Sequence, residues 1–556
     1  MDQLHKSNTL AWSLLVSFTL IWLYVLGIRT LVPPDEGRYA EMAREMLVSG
    51  DWITTRLNGI KYFEKPPLQT WMNALSFGAF GLGEWQARLW TGLCGLIGIF
   101  MVAHAGAKVF GRRAGFYAAL VLGSSFFWVA SGQIDSLDMS LSGMMTISLC
   151  ALLIAQRDQA SAAERRNWML VCWAGMALAV LAKGLIGLVL PGGVLVLYTL
   201  AARDWAIWSR LHIGKGLLLF FAIATPWFVL VALKNPEQPH FFFVHEHFER
   251  FFLKAHKREG AWYYFFAMLI PGIVPWLGLL PQSLAQAVRR DQGTSRKAVF
   301  QPKLLLLIWA GFIFAFFSYS SSKLPGYILP IFPALALLLA LHLEQVSRRS
   351  AMLAAALLAV MGAVGLALVP RMTGAASHPG EVGLLIAYQP WALAAGVIAL
   401  AGGLLALRCA YKLRHDLTVL TLAGAGFIAT QLLLTGFEPY GYHRAGLALV
   451  PKIEAELLPE TKIYSVGTYE QSLTFYLRRT VTLVDYRDEF SFGLEQQPEL
   501  GIPTVDAFVL QWTRDARAGV RSVAIIRKNI YDDLRARGVP MRLVVQDTRR
   551  TVIANL

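Results

Sequence analysis

Two short stretches hold the residue types that a group transfer needs. Val32-Pro33-Pro34-Asp35-Glu36-Gly37-Arg38-Tyr39-Ala40-Glu41 sets two adjacent carboxylates and a guanidinium directly after an apolar segment, Leu10 to Leu31. Tyr62-Phe63-Glu64-Lys65-Pro66-Pro67 adds a phenol, a third carboxylate and an ammonium. A carboxylate can orient or deprotonate an acceptor, and cations can hold a phosphate leaving group and stabilise the charge that grows on it. An Asp-Glu pair at this place also fits a solvated helix start, whose dipole favours acids, so the surroundings must decide.

Further charges stand where a membrane protein rarely keeps them. Asp135 and Asp138 open one apolar segment, and Lys183 sits between two others in Leu181-Ala182-Lys183-Gly184. Ionisable groups at such depth face a cavity or a partner, although a lysine can also snorkel to the interface. Ser320-Ser321-Ser322-Lys323-Leu324-Pro325-Gly326-Tyr327 places Lys323 and Tyr327 on a loop whose serines and glycine suit a gate or an ordinary turn. Between Lys234 and Ala261, His245, His247 and Arg250 lie among phenylalanines. This fits a surface helix dipping aromatic rings into lipid, with phosphate binding by its cations as the functional alternative. Together Asp35, Asp138, Arg38, Lys65, Lys183, Arg250 and Lys323 suit a glycosyl donor carried on a polyprenyl phosphate.

The elements that must position these residues are membrane helices. The chain has 556 residues, of which 56% are hydrophobic and 16% charged, more apolar and less charged than a soluble domain. Apolar runs recur from Leu10 to Phe437 and predict a polytopic α-helical membrane protein of about thirteen transmembrane helices on a ~20-residue span. The net charge of +15 comes from basic residues in alternate short loops, which topology explains without nucleic acid. Taking those loops as cytoplasmic puts the Asp35 loop, the Lys183 turn, the 234–261 loop, the Lys323 loop and the C-terminal tail outside. Glu36–Val48 carries Tyr39, Met42, Met46 and Leu47 on one face, a pattern for a helix lying on the membrane. The four cysteines, Cys94, Cys150, Cys172 and Cys409, have no metal-ligand spacing and are expected as free thiols.

The domain boundary falls at residue 437. Residues 1–437 form a transmembrane domain with long outer loops at 32–88 and 234–261, and residues 438–556 a soluble α/β domain. There, strands are expected at Lys462–Gly467, Thr480–Asp485 and Ser522–Arg527, helices at Tyr469–Arg478, Thr504–Thr513 and Ile530–Gly538, and a final hairpin from Met541–Gln546 and Thr551–Ala554. This tail has no Gly-rich nucleotide fingerprint and no nucleophile elbow.

The order Pro-Asp-Glu-x-Arg-Tyr-Ala-Glu, Gly50-Asp51-Trp52, Tyr62-Phe63-Glu64-Lys65-Pro66-Pro67, Ala182-Lys183-Gly184 and Lys323-Leu324-Pro325-x-Tyr327-Ile328-Leu329-Pro330 resembles bacterial undecaprenyl-phosphate aminoarabinose transferases. These are GT-C superfamily relatives of the protein O-mannosyltransferases. The likeness covers about Leu10 to Leu343. It implies a bacterial inner-membrane glycosyltransferase with its site facing the periplasm, acting as a monomer. It implies transfer of 4-amino-4-deoxy-L-arabinose from undecaprenyl phosphate to a lipid A phosphate, which confers resistance to polymyxin and cationic peptides. By motif, Asp35 and Asp138 are the superfamily's two acids, and Lys65 and Arg250 are the phosphate binders. Glu36, Arg38, Tyr62, Lys183, Lys323 and Tyr327 belong to the substrate-binding set. No cofactor is required for catalysis on this reading. Glu64 and His245 could hold a structural zinc ion, since imidazole and carboxylate are ordinary zinc ligands; interfacial histidines without metal are the alternative. Transfer of a related sugar to protein or to another glycolipid is the competing enzymatic reading. A transporter would place its charges near the midplane on repeated, broken helices, and no repeat is visible.

Overall fold

A computed structural model describes residues 7–243, 260–289, 300–376 and 379–555. The chain forms two compact units. One comprises Met1–Leu26, Arg88–Ala375 and Tyr388–Gly436, the other Gly27–Ala87, Ala376–Ala387 and Phe437–Leu556.

The first unit is helical because its sequence is apolar over spans that leave only intrahelical partners for the backbone. Among the described residues, eight helices are long and apolar enough to cross a membrane, among them Glu84–Val109, Leu137–Ala155, Pro325–Glu344 and Arg348–Gly374. Shorter apolar helices cover Trp12–Val25 and Ile186–Ala202. Buried tryptophans stitch these helices together, since an indole N–H in an apolar interior needs an acceptor. Trp22 Nε1 donates to Gly92 O at 3.0 Å, Trp128 Nε1 to Gly95 O at 3.2 Å, Trp276 Nε1 to Ser124 Oγ at 3.0 Å and Trp309 Nε1 to Pro330 O at 2.8 Å. Cys94, Cys150 and Cys172 are buried and all four cysteines are free thiols, as expected.

The second unit is built on a six-stranded sheet. Two short strands come first in the chain, β1 (Arg56–Leu57) and β2 (Ile60–Lys61), which pair as a hairpin. The sheet strands are β3 (Lys462–Val466), β4 (Thr482–Val484), β5 (Gly501–Ile502), β6 (Ser522–Ile526), β7 (Arg542–Gln546) and β8 (Thr551–Ala554), in the order β5-β4-β3-β6-β8-β7. The first four run parallel and β8 and β7 close the edge antiparallel, as the expected final hairpin requires. β6 is buried along its whole length, which is why Ser522-Val523-Ala524-Ile525-Ile526 reads as an unbroken run and not an alternation. Tyr464, Phe508 and Trp512 fill the core beside it.

Residues 27–87 belong to this same unit, and one expectation changes there. The helix Asp35–Ser49 is no surface helix resting on lipid. Glu36, Glu41, Arg44 and Glu45 are all buried. The polar face is itself a packed face, because each charge has a fixed partner. Arg44 forks onto Glu41 through Nε and Nη2, both at 2.7 Å. Glu45 accepts the backbone N–H of Asn58 at 2.5 Å and of Gly59 at 2.7 Å. Burial, reinforced by the Glu41 charge, pushes the Glu45 carboxyl up to about 8. The sequence pattern could not distinguish lipid from protein as the medium that covers the helix.

Asn58 ties this N-terminal segment to the sheet. Its Nδ2 donates to Val481 O and its Oδ1 accepts Val481 N–H, each at 2.7 Å, from a left-handed backbone position with φ 56°. Asn58→Gly keeps that backbone conformation and removes both bonds. Two buried groups left unsatisfied at roughly 1–3 kcal/mol each should lower the stability of this unit by about 3 kcal/mol. Hydrogen exchange at the Val481 amide should accelerate accordingly; unchanged protection there would reject the tie.

Candidate active site

Each unit gathers some of the sequence-selected residues. In the second unit, Pro34 stands at the N-cap of the helix Asp35–Ser49, so Asp35 and Glu36 occupy its first turn, where unpaired N–H groups favour negative charge. The two acids then diverge. The Glu36 carboxylate is buried and accepts Val32 N–H at 2.9 Å, which makes it a brace for the preceding loop. The Asp35 side chain is 56% exposed, and Arg38 Nη1 donates to it at 2.9 Å.

Arg38 points its other nitrogen inward. Nη2 lies 2.6 Å from Glu489 Oε2 in an ion pair whose two side chains are both largely buried. Gln471 Nε2 donates to the other Glu489 oxygen at 2.7 Å. Burial raises the Glu489 carboxyl above the ordinary range, with Arg38 and Gln471 opposing and the Glu64 charge adding to the rise. Burial, then the charge of Glu64, hold the Tyr62 phenol well above its ordinary value, so Tyr62 stays a neutral phenol. Arg38 is therefore fixed between an exposed carboxylate and a buried one, with Tyr62 in its field and Glu64 acting on Tyr62 and Glu489. Lys65 is half-buried in the same unit.

In the membrane unit, Asp138 lies in the first turn of the helix Leu137–Ala155, and Lys183 is the last residue of the helix Ala162–Lys183. The two form an ion pair. Each charge sits at the helix end that favours it, the acid at an N-terminus and the base at a C-terminus. The Lys183 ammonium also lies 5.0 Å from the centre of the Tyr327 ring, close enough for a cation–π contact. Tyr327 belongs to the tight turn Pro325–Ile331, and its ring packs against Phe317 at 5.0 Å.

Gly326 is what lets that turn approach. A Cβ there would fall 2.4 Å from Asp138 Oδ2 and 2.5 Å from Asp138 Cγ. Lys323 has a different post. Its ammonium donates to Ser318 O at 2.8 Å and Ser320 O at 3.0 Å and lies 5.4 Å from the Phe265 ring. It staples its own loop, and burial lowers its pKa.

Asp35 thus meets Arg38 with Tyr62 and Glu64 nearby, and Asp138 meets Lys183 and Tyr327. Glu36 and Lys323 are engaged with backbone. His245 and Arg250 lie outside the described residues, and among the described residues no three histidine, cysteine, aspartate or glutamate side chains form a metal-binding group. Sequence reasoning missed Glu489 and Gln471, and it read Gly326 only as a residue of a gate or turn. Glu489 sits in Arg487-Asp488-Glu489, a charged turn with no motif, and only the tertiary fold brings it to Arg38.

Paired charges at the ends of apolar helices suit a polytopic membrane enzyme with a charged substrate, and the likeness to known proteins makes it a membrane glycosyltransferase of the GT-C type. Residues 9–242 match the dolichyl-phosphate-mannose-protein mannosyltransferase family, and residues 449–555 match the aminoarabinose transferase C-terminal domain. The undecaprenyl phosphate-alpha-4-amino-4-deoxy-L-arabinose arabinosyl transferase of Erwinia tasmaniensis is 28% identical, over 93% of both chains. Its counterpart from Edwardsiella ictaluri is 30% identical over 69% of this chain and 70% of its own. The crystal structure of ArnT from Cupriavidus metallidurans bound to undecaprenyl phosphate superposes with a TM-score of 0.92 at 39% identity, covering 99% of each chain. The chain belongs to the family of undecaprenyl phosphate-aminoarabinose arabinosyl transferases.

Gly326→Ala should keep the helices and displace either Asp138 or the Tyr327 turn. Displacement of a reacting group by about 1 Å can cost on the order of a hundredfold in rate. The expected result is a fall in turnover of that order with a melting midpoint close to wild type. Wild-type turnover would show that the close approach is unimportant to the chemistry.

Proposed function

We propose that the protein transfers 4-amino-4-deoxy-L-arabinose from undecaprenyl phosphate to a phosphate of lipid A, at the periplasmic face of a bacterial inner membrane. The observation that carries this reading is the match along nearly the full chain to a structure solved with undecaprenyl phosphate. The paired charges of the membrane unit support it.

In this reading an oxygen of the lipid A phosphate forms a bond to the sugar's anomeric carbon as the bond from that carbon to the donor phosphate oxygen breaks, and undecaprenyl phosphate leaves with added negative charge. Lys183 is proposed as a cation for a phosphate oxygen, where fixed positive charge favours the transition state over the ground state, and Lys65, in the other unit, is proposed from its motif alone as a phosphate binder. Asp138 holds the Lys183 ammonium in place and Tyr327 covers it, so Asp138 is a positioning residue for that cation. The acceptor is a phosphate, already ionised near neutral pH, and a strong general base is unnecessary. Asp35, exposed and oriented by Arg38, then directs the acceptor or receives the amino group of the sugar. Arg38 and Glu489 fix the angle at which it does so.

The mannosyltransferase match over residues 9–242 favours one alternative, a different polyprenyl-phosphate sugar with the same phosphate chemistry. Mass spectrometry of lipid A from a strain lacking its own transferase and expressing this chain separates the two. Addition of an aminopentose supports the proposal, and unmodified lipid A with a glycosylated protein or other glycolipid supports the alternative.

In that strain Asp35→Asn should express normally, because the side chain lies in solvent, yet leave lipid A unmodified and cells sensitive to polymyxin. Modification at the wild-type level would remove Asp35 from the mechanism. Lys65→Ala should weaken binding of undecaprenyl phosphate in nanodiscs by about tenfold, the loss of one charge-assisted bond of roughly 1.5–3 kcal/mol. Unchanged affinity would remove Lys65 from the phosphate site.

A further inference from the structure

The helix Glu84–Val109 carries a second feature at the end away from Asp138. Its first half runs beside Asp138's helix, where Trp90 Nε1 donates to Ser140 Oγ at 2.8 Å. Its last turn meets that helix's other end, where Arg157 Nη1 donates to Lys108 O at 2.9 Å. The helix Leu137–Ala155 has 19 residues and separates the two ends by about 28 Å at 1.5 Å per residue.

At this far end the helix Arg112–Ser124 turns back and crosses closely, because Gly106 and Gly115 face each other. A Cβ on Gly106 would fall 2.9 Å from Gly115 Cα. Beside the crossing a groove of about 310 Å³ opens, with small residues such as Ala103 and Ala107 as its floor and Phe100 and Phe116 as walls. Two polar side chains, His104 and Arg112, stand in this otherwise apolar lining. The His104 ring is wedged between Phe100 and Trp168 at 6.1 Å and 5.3 Å. Its Nε2 is buried and has no hydrogen-bond partner among the described residues. The nearby Glu164 carboxylate is shared by Arg157 and Lys108 and Asp416 is paired with Arg113, so the cations at this end, Arg112 included, outnumber these two acids.

We propose that this groove binds an anionic phospholipid from the bilayer leaflet opposite the Asp138–Lys183 pair. One acyl chain lies along the alanine floor between Phe100 and Phe116. Arg112 meets the phosphate, and the His104 ring, held between Phe100 and Trp168, lines the groove beside it. The surplus of arginine and lysine selects a net negative headgroup over a zwitterionic one. The groove lies on a span long and apolar enough to cross the membrane, so a lipid reaches it without leaving the bilayer.

The test uses the purified full-length protein in detergent, titrated separately with phosphatidylglycerol and phosphatidylcholine and read by native mass spectrometry. Wild type should retain one phosphatidylglycerol in preference to phosphatidylcholine. Arg112→Gln should reduce that preference about fivefold, the effect of one basic residue near a membrane surface. Ala107→Trp should fill the groove and remove the retained lipid, and Ala119→Leu serves the same end should the larger residue disturb folding. Equal retention of both lipids by wild type would overturn the proposal. So would phosphatidylglycerol retention unchanged in Arg112→Gln and in whichever filling variant folds.

Discussion

A charge inside a membrane protein needs a partner, and the Asp138–Lys183 pair follows from that constraint. Either group alone at a helix end in the bilayer would be expensive, and a buried pair left with one member is strongly destabilised. The two helices resolve this by presenting opposite charges from opposite termini. Each macrodipole then adds roughly 0.3–1 kcal/mol in favour of its own charge. The pair keeps some exposure, with side chains 17% and 22% accessible, so its Coulomb energy is partly screened. That residual access is what a binding cation needs. The Tyr327 turn, admitted by Gly326, covers the ammonium without sealing it.

The second unit solves a different problem with the same chemistry. Its helix Asp35–Ser49 carries four acids and two arginines, and nearly all of them are satisfied within the unit. Glu41 holds Arg44, Glu45 holds the β1–β2 hairpin, Glu36 holds the Val32 loop, and Glu489 holds Arg38. Asp35 is the exposed member of the set, bonded on one side by Arg38 and open on the other. Fixing every neighbour is what leaves a single carboxylate with a defined direction.

Much of this was legible in the sequence. The apolar runs announced membrane helices, and the alternation after residue 437 gave the strands β3, β4, β6, β7 and β8 to within a few residues. Asp35, Asp138, Lys183 and Tyr327 stood out because charge and phenol were placed at segment ends. Other features needed tertiary contacts. Glu489 lies 451 residues after its partner Arg38, and no local pattern links them. The Asp35–Ser49 helix looked amphipathic because its buried ion pairs mimic a polar face. Lys323 looked like a phosphate ligand until its ammonium was found on the carbonyls of its own loop. Gly326 suggested a flexible gate, whereas its missing side chain is what admits Asp138.

On the proposed function, Asp138 and Lys183 act as one unit, the acid holding the ammonium that meets the lipid-linked phosphate. A double-mutant cycle in a purified transfer assay with undecaprenyl-phosphate aminoarabinose and lipid A tests it most directly. Groups that act together lose function non-additively. Asp138→Asn and Lys183→Met should each suppress transfer severely, and the double variant should be little worse than the more impaired single one. Multiplicative losses, or Lys183→Met turning over like wild type, would contradict the account.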